Sequence, residues 1–193
     1  ARHGMNEAIA RLSTGVRSMY GGDAAGASVA HTLRADGRSA LMAARNVEDG
    51  ISFLQAGEAA LLEIAALNTR LRELAVQDLN AAFLDANQEA AITAEETAVA
   101  AAGNAIDTST LNDTALLTAT IAFVRDMDGA TTSFGAAADL TLASGVTAVD
   151  REMGKISKAL GSMAAGIAAL KGHQGTLYAL SANAEAAAAR IQD

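Results

Sequence analysis

The sequence predicts a mainly α-helical fold, an elongated antiparallel bundle in which coiled-coil-like helices form a rod with a small β-hairpin region at its tip. Three observations support this prediction. The 193 residues include no proline and about a quarter are alanine, which suits long unkinked helices because proline is the strongest helix breaker and alanine the best helix former. Aromatic residues make up only 3%, so the core is expected to consist of small and aliphatic side chains between closely packed helices. Apolar residues also recur at steps of three and four over long stretches, the spacing of one helical face.

Charge and composition exclude several classes of protein. The chain has 14 Lys and Arg against 22 Asp and Glu, a formal net charge of −8, and no basic cluster, so we expect neither a nucleic-acid nor a membrane partner. It has no cysteine, which excludes disulfides, thiolate metal sites and a cysteine nucleophile. No uninterrupted apolar run approaches the roughly 20 residues of a membrane span, and no secretory signal is visible.

Residues 1–22 form the first of four predicted parts of one domain, an N-terminal connecting segment. Gly21-Gly22 is expected to interrupt the chain at the end of this segment. A helix is predicted before it, over residues 4–17, because four apolar residues share one helical face: Met5, Ile9, Leu12 and Val16.

Residues 23–107 are predicted to form the N-terminal helices of the rod. Asp23 is a candidate cap for a first helix that continues to about Asp78. Such a helix would extend about 80 Å at 1.5 Å per residue. Its apolar positions follow steps of three and four: Val47, Ile51, Leu54, Leu61, Ile64, Leu67, Leu71 and Leu74.

A second helix is predicted over residues 86–105, because Asp85 and Gln88 have the spacing of a capping box. Residues 108–146 then change character and are predicted to form the β-hairpin tip. Asp128-Gly129 is a hairpin turn signal between two runs rich in β-branched and aromatic residues. These runs contain Thr118, Thr120, Ile121, Phe123, Val124, Thr131, Thr132 and Phe134.

Residues 147–193 are predicted to form the C-terminal rod helix, with Thr147 and Asp150 as a candidate capping box. Apolar residues there alternate steps of four and three for six heptads, the pattern of a coiled-coil seam. We expect this seam to face the N-terminal helices in an antiparallel hairpin, with both termini at one end of the rod. The bundle seam is assigned to Ile156, Leu160, Met163, Ile167, Leu170 and Leu177, and it continues in smaller residues at Ser181, Ala184 and Ala188.

The sequence carries no pattern of catalytic chemistry. His3, His31 and His173 have no second histidine at metal-ligand spacing, and the common zinc, phosphate-loop, dinucleotide and nucleophile-elbow motifs are absent. Glu95 and Glu96 are adjacent, so they cannot share a helix face. We therefore expect a structural or interaction protein rather than an enzyme, with no catalytic residues, cofactor or metal.

Several motifs, in order along the chain, resemble those of bacterial flagellins. The match to the family's RMRELAVQ motif is nearly complete, and together with the DGIS motif and the C-terminal stretch it is highly specific. Residues 8–17 (AIARLSTGVR) are similar to IERLSSGLR, 23–26 (DAAG) to DDAAG, 45–52 (RNVEDGIS) to RNANDGIS, 55–61 (QAGEAAL) to QTAEGAL, 70–77 (RLRELAVQ) to RMRELAVQ, 111–112 (LN) to FNG, and 182–183 with 186–193 (AN, AAAARIQD) to ENLSAARSRIRD.

The resemblance implies the core domain of a flagellar filament subunit, a structural protein that self-assembles into a helical tube for swimming motility. It also implies that the apolar terminal segments forming the innermost tube are truncated in this chain. The implied location is extracellular, in the bacterial flagellum, after export by the flagellar type III system without a cleaved signal peptide. The implied partners are other flagellin subunits, the export apparatus and its chaperone, and the cap and junction proteins.

The resemblance further implies an exposed interface on the first long helix. Arg70, Leu74 and Gln77 are expected to form one stripe for subunit contact and, in vertebrate hosts, for binding by Toll-like receptor 5. Arg72 points to a different side of the helix because it is two residues from Arg70. A glutamate that the family often carries falls at Ala94 by gap-free counting, and Glu95, one residue on, completes the predicted interface.

Two alternatives remain open at this point. The hook–filament junction protein shares the fold and a weaker form of the motifs, although RELAVQ and DGIS favour flagellin. A flagellin-like surface carbohydrate-binding protein should cluster aromatic residues for stacking on sugars, and only Phe123 and Phe134 lie near the predicted tip.

Overall fold

The structure is a computed structural model that describes residues 2–15, 23–124, 126, 128–136 and 138–192. Most of these residues are helical, which confirms the mainly-α fold. The elements in chain order are α1 (Arg2–Thr14), α2 (Ala24–Asp78), a 3-10 turn (Ala81–Phe83), α3 (Ala86–Asp107), β1 (Thr110–Leu111), β2 (Thr114–Ala115), β3 (Ile121–Val124), β4 (Thr131–Phe134) and α4 (Val146–Gln192).

The chain divides into two compact units, and α2 and α4 each contribute to both. Unit 1 consists of Ala1–Val47, Val124–Thr131 and Gly172–Asp193, and unit 2 consists of Glu48–Phe123 and Thr132–Lys171.

The first helix is shorter than the sequence predicts. α1 ends at Thr14, and Gly15 follows with a φ of +67°, a left-handed conformation that glycine adopts at helix ends without a steric penalty. Val16 and the Gly21-Gly22 interruption lie outside the described residues. The other members of the predicted apolar face are exposed on α1: Met5, Ile9 and Leu12.

The predicted boundaries of α2 are confirmed. The Asp23 Oδ1 accepts a hydrogen bond from the Gly26 backbone N–H at 2.8 Å, so Asp23 satisfies a donor that the first turn would otherwise leave free. The helix then runs without interruption to Asp78. By length and composition α2 also meets the criterion for a helix that could cross a membrane. It meets this criterion through its average hydropathy, because it contains no uninterrupted apolar run of that length. This is weak evidence for a membrane span, because core helices of soluble proteins meet the same criterion.

The predicted capping box opens α3. The Asp85 Oδ1 accepts from the Asn87 and Gln88 backbone N–H groups at 2.8 and 2.9 Å, and the Gln88 Oε1 accepts from the Asp85 N–H at 3.0 Å. The helix continues to Asp107, two residues beyond the predicted end.

The β region contains two hairpins where the sequence predicted one. β3 and β4 pair across the predicted turn, where Gly129 has a φ of +83°; Thr118 and Thr120 lie outside the strands. The additional hairpin pairs β1 with β2 in antiparallel register, Thr110 opposite Ala115. Its turn residues Asn112 and Asp113 have φ values of +51° and +59°, which these two residue types tolerate better than most.

The predicted capping box at the start of α4 is wrong. The helix begins at Val146, so Thr147 is already inside its first turn. Gly145 precedes the helix with a φ of +100°, and its carbonyl accepts the first helical hydrogen bond, from the Val149 N–H at 3.0 Å. The backbone freedom of this glycine therefore sets the start of α4.

In unit 2, α2 and α4 pack antiparallel. Gly166 faces Leu54, and further along α2 the Asn68 Nδ2 donates to the Val149 carbonyl at 2.9 Å. Gly57 allows close contact between the helices, because a Cβ there would lie 2.6 Å from the Met163 Cε. The apolar side chains that are fully buried in this core are Leu54, Leu61, Ile64, Leu71, Leu74, Leu117, Val149, Ile156, Met163 and Leu170.

In unit 1 the same two helices pack through much smaller side chains. A Cβ on Gly37 would lie 3.4 Å from the Ala184 Cβ, so the helices approach closely there. The buried residues are Ala30, Ala40, Ala43, Ala44 and Val47 from α2, and Leu177, Ser181, Ala184 and Ala188 from α4. The contact surface is thin, as the shrinking heptad residues of the C-terminal helix predict.

Candidate functional site

The described ranges of the chain contain no group of three or more His, Asp or Glu side chains that could hold a metal ion. The residues singled out by the sequence instead form a charged surface on unit 2, built from α2, α3 and the start of α4. We define this charged surface as Arg70, Arg72, Gln77 and Glu95.

Arg70 joins α2 to α3 through a three-residue ion-pair network. Its Nε and Nη2 both donate to the Glu95 Oε1, at 2.9 and 2.5 Å. Its Nη1 donates to the Glu73 Oε2 at 2.9 Å, the pair expected from their i, i+3 spacing. These bonds, the one to Glu95 first, raise the pKa of Arg70 above its ordinary value. The Arg70 and Glu95 side chains remain 45% and 46% exposed, so the network is accessible from solvent.

Arg72 makes a separate link, from α2 to α4. Its Nε donates to the Asp150 Oδ1 at 2.9 Å, and both side chains are about half exposed. Arg70 and Arg72 therefore point to different sides of α2, toward α3 and α4 respectively.

Leu74 does not belong to the charged surface, because its side chain is only 1% exposed and lies in the core of unit 2. Gln77, one turn further along α2, is exposed. The exposed stripe that the resemblance implied is thus reduced in this chain to Arg70 and Gln77. Leu74 packs in the core on the same helix.

The predicted seam residues of α4 divide between the two cores. Ile156, Met163, Ile167 and Leu170 are buried in unit 2 and Leu177 is buried in unit 1. Leu160 is half-buried.

Unit 2 also contains a buried polar cluster that sequence reasoning missed. The Glu152 side chain is 0% exposed and accepts hydrogen bonds from the Thr141 N–H at 3.2 Å and the Lys155 Nζ at 3.1 Å. The Arg151 Nε is a third donor at 3.2 Å. Burial alone would raise the pKa of Glu152, but the bonds from Lys155, Thr141 and Arg151 together hold it below its ordinary value.

Two other carboxyl groups of unit 2 are less well compensated. Burial, followed by repulsion from Asp139, raises the pKa of Asp107, whose Oδ1 has no hydrogen-bond partner among the described residues. Burial, followed by repulsion from Asp78, raises the pKa of Glu96. Helical periodicity alone could not distinguish these residues from surface carboxylates, because their burial depends on which helices meet around them.

Comparison with known proteins decides the family. A sequence model of the bacterial flagellin N-terminal helical region matches residues 1–122 of the chain. The chain belongs to the flagellin family. The matched range contains every residue of the charged surface, whereas the α4 seam lies beyond it.

Individual flagellins extend the match. The chain is 35% identical over 136 residues to a flagellin of Halalkalibacterium halodurans, covering 70% of this chain and 50% of that protein. It is 42% identical over 76 residues to a flagellin of Bacillus subtilis, covering 39% of this chain and 25% of the relative. It is also 40% identical over 76 residues to the flagellar filament 31.3 kDa core protein of Treponema maltophilum, covering 39% and 27%. The chain thus spans half or less of the length of these relatives.

Proposed function

We propose that this chain is the core part of a structural subunit of the bacterial flagellar filament, a protein that polymerises with further copies of itself into a helical tube for swimming. The observation that carries the proposal is the match to the flagellin N-terminal helical region over residues 1–122. Relatives named flagellin and flagellar filament core protein support it. These names also favour a filament subunit over the hook–filament junction protein.

Membership of the flagellin family supports a structural role for the chain. No metal-binding cluster occurs among the described residues, and the buried polar cluster around Glu152 is engaged in joining helix to loop. At a net charge of −8, copies of the chain repel one another at long range. Polymerisation therefore requires specific contacts that offset this repulsion.

We further propose that the protein acts outside the cell as part of the flagellum. The flagellar type III apparatus would export it with the help of a chaperone. Cap and junction proteins complete the proposed set of bacterial partners. In vertebrate hosts the proposed partner is Toll-like receptor 5, and the exposed Arg70 and Glu95 side chains are the groups available to it on the charged surface.

The charged surface yields a prediction that separates assembly from folding. Arg70→Glu reverses a charge that is nearly half exposed, so the unfolding temperature should change little. Filament yield, or activation of a Toll-like receptor 5 reporter, should fall because the network with Glu95 and Glu73 is lost. Lys171→Glu is the matched control, since it changes the net charge equally at an exposed position that forms no ion pair with any described residue. A variant at Arg70 that assembles and signals like this control would refute the interface role.

The decisive experiment is electron microscopy of a flagellin-deficient bacterium that expresses the full product of the gene. Long helical filaments and restored swimming would support the filament subunit. Short caps at hook ends without filaments would indicate a junction protein. Binding to a glycan array without any filaments would indicate a carbohydrate-binding protein.

A further inference from the structure

Unit 2 contains a cavity of about 410 Å³ where the end of α2, the middle of α3 and the first turn of α4 meet. Its walls include the apolar side chains of Ala75, Leu79 and Val146. The carboxyl groups that line it belong to Asp78 and Glu96. It therefore combines an apolar wall with two acidic groups.

Glu96 is the unusual member of this cavity. The residue is only 7% exposed, yet within the described part of the chain its carboxylate has neither a hydrogen-bond donor nor an ion-pair partner. Its charged neighbour is Asp78, which repels it and, after burial itself, raises its pKa. Because Glu96 lines an open cavity, water in that cavity is the donor left to its carboxylate in the isolated chain, and the partial burial of the charge still costs free energy.

The remaining groups around the cavity do not neutralise the two carboxylates. The first turn of α4, with Val146 and Thr147, also lines the cavity, and a helix N-terminus carries the equivalent of only about half a positive charge. The two negative charges of Asp78 and Glu96 exceed the partial positive charge of the helix N-terminus, so the cavity carries a net negative charge. A cation is therefore the complementary ligand.

We propose that this cavity receives a basic side chain, lysine or arginine, from a second copy of the chain. Long basic side chains carry an apolar stem and a charged head, which matches apolar walls leading to Asp78 and Glu96. A bare divalent ion fits less well, because calcium takes six to eight oxygen ligands and the described residues offer no cluster of three acidic or histidine groups here.

The identity of the occupant as a second copy rests on the proposed function. It is supported by charge complementarity, because the chain also carries basic side chains that have no ion-pair partner in the part of the chain described. Lys158 on α4 and Arg38 on α2 are exposed examples. Since the net charge of −8 opposes association, local pairing of a free cation with the acidic cavity provides a specific attraction.

The proposal predicts opposite effects of one substitution on folding and on association. Glu96→Gln removes the uncompensated charge, so the unfolding temperature of the isolated chain should rise or stay the same. The same change should weaken association between copies by at least about tenfold, because the incoming cation loses its buried partner. A glutamate with a purely structural role would show a lower unfolding temperature when replaced.

Association can be measured by following backbone amide resonances of the ¹⁵N-labelled 193-residue chain during dilution. We expect concentration-dependent shifts at residues that line the cavity, weakened by added salt because the interaction is between charges. Glu63→Gln is the matched control, since Glu63 is an exposed glutamate of unit 2 that has no ion pair within the part of the chain that the structure describes. This control should behave like the parent in both measurements.

Three results would overturn the proposal: a parent chain without concentration-dependent shifts around the cavity, a Glu96→Gln chain that associates like the parent, or a Glu96→Gln chain with a lowered unfolding temperature. Filament formation by the full gene product is scored separately by microscopy. Filaments together with any of these three results would retain the proposed function and reject the cavity as a subunit contact.

Discussion

Replacing Glu152 by glutamine tests whether the buried polar cluster holds unit 2 together. The carboxylate is 0% exposed. Its Oε2 accepts from the Thr141 N–H, and its Oε1 accepts from Lys155 and Arg151. Glutamine has the same shape but only one acceptor oxygen. If that oxygen keeps the Thr141 bond, the amide NH₂ faces two cationic donors and lacks an acceptor.

The magnitude follows from these contacts. Lys155 and Arg151 are 44% and 64% exposed, so losing both pairs should cost only about 1 kcal/mol in total. Leaving a buried NH₂ without an acceptor costs about 1–3 kcal/mol. Relief of the repulsion between Glu152 and Asp107 returns part of this. We therefore expect a loss of about 2 kcal/mol, or about 4–8 °C in unfolding temperature for a chain of this size.

The effect should depend on pH with a definite sign. Because the folded-state pKa of Glu152 lies below its ordinary value, its contribution is fully present above that ordinary value and is lost as the pH falls through the folded-state pKa. The assay is thermal and urea unfolding, followed by the helical circular dichroism signal at neutral and acidic pH. Glu185→Gln, an exposed position on α4, is the control and should change stability by less than about 0.5 kcal/mol. Equal unfolding of the two variants at neutral pH would refute the reasoning.

Two further substitutions test the core and the partly compensated buried carboxylate of Asp107. Ile167→Asp places a charge in the antiparallel α2–α4 core and should destabilise the chain by about 3 kcal/mol or more. The control is Ala168→Asp, because the neighbouring Ala168 is exposed. Equal urea midpoints for the two variants would show that the seam does not face α2. Asp107→Asn should raise the unfolding temperature at neutral pH, because burial raises the pKa of this carboxyl group and the charged form is destabilising; the gain should vanish in acid, where the parent is neutral too. Asp49→Asn, exposed on α2, should show no such pH-dependent gain.

Local signals in the sequence were sufficient to place the starts of α2 and α3. The caps at Asp23 and Asp85 work through hydrogen bonds within three residues, so their effect does not depend on the rest of the fold. The start of α4 was misplaced because the φ of Gly145, rather than the capping residues downstream, decides it. The β1–β2 hairpin was missed because its strands are two residues long, although Asn112-Asp113 between Leu111 and Thr114 was a usable turn signal.

Leu74 shows where the two kinds of sequence evidence disagree. Helical periodicity assigned it to the apolar face of α2, and the resemblance assigned it to an exposed stripe. Its 1% exposure follows the periodicity, because a leucine at a core-facing step gains more from burial than from contact with water. The pair between Arg70 and Glu95 could not be derived from spacing, since it joins residues 25 apart on different helices.

The buried carboxylates of unit 2 can be ranked by the number of hydrogen-bond donors that each one has. The ranking separates carboxylates that stabilise the folded chain from those that do not. Glu152 has three donors, so its burial contributes to the fold. Asp107 is partly compensated by the Leu140 backbone but keeps one oxygen without a partner. Glu96 has no donor among the described residues and faces a second carboxylate across an open cavity. Glutamine there would avoid the repulsion from Asp78, whereas the proposed cation from a second copy gives the Glu96 charge a partner that the described residues do not supply.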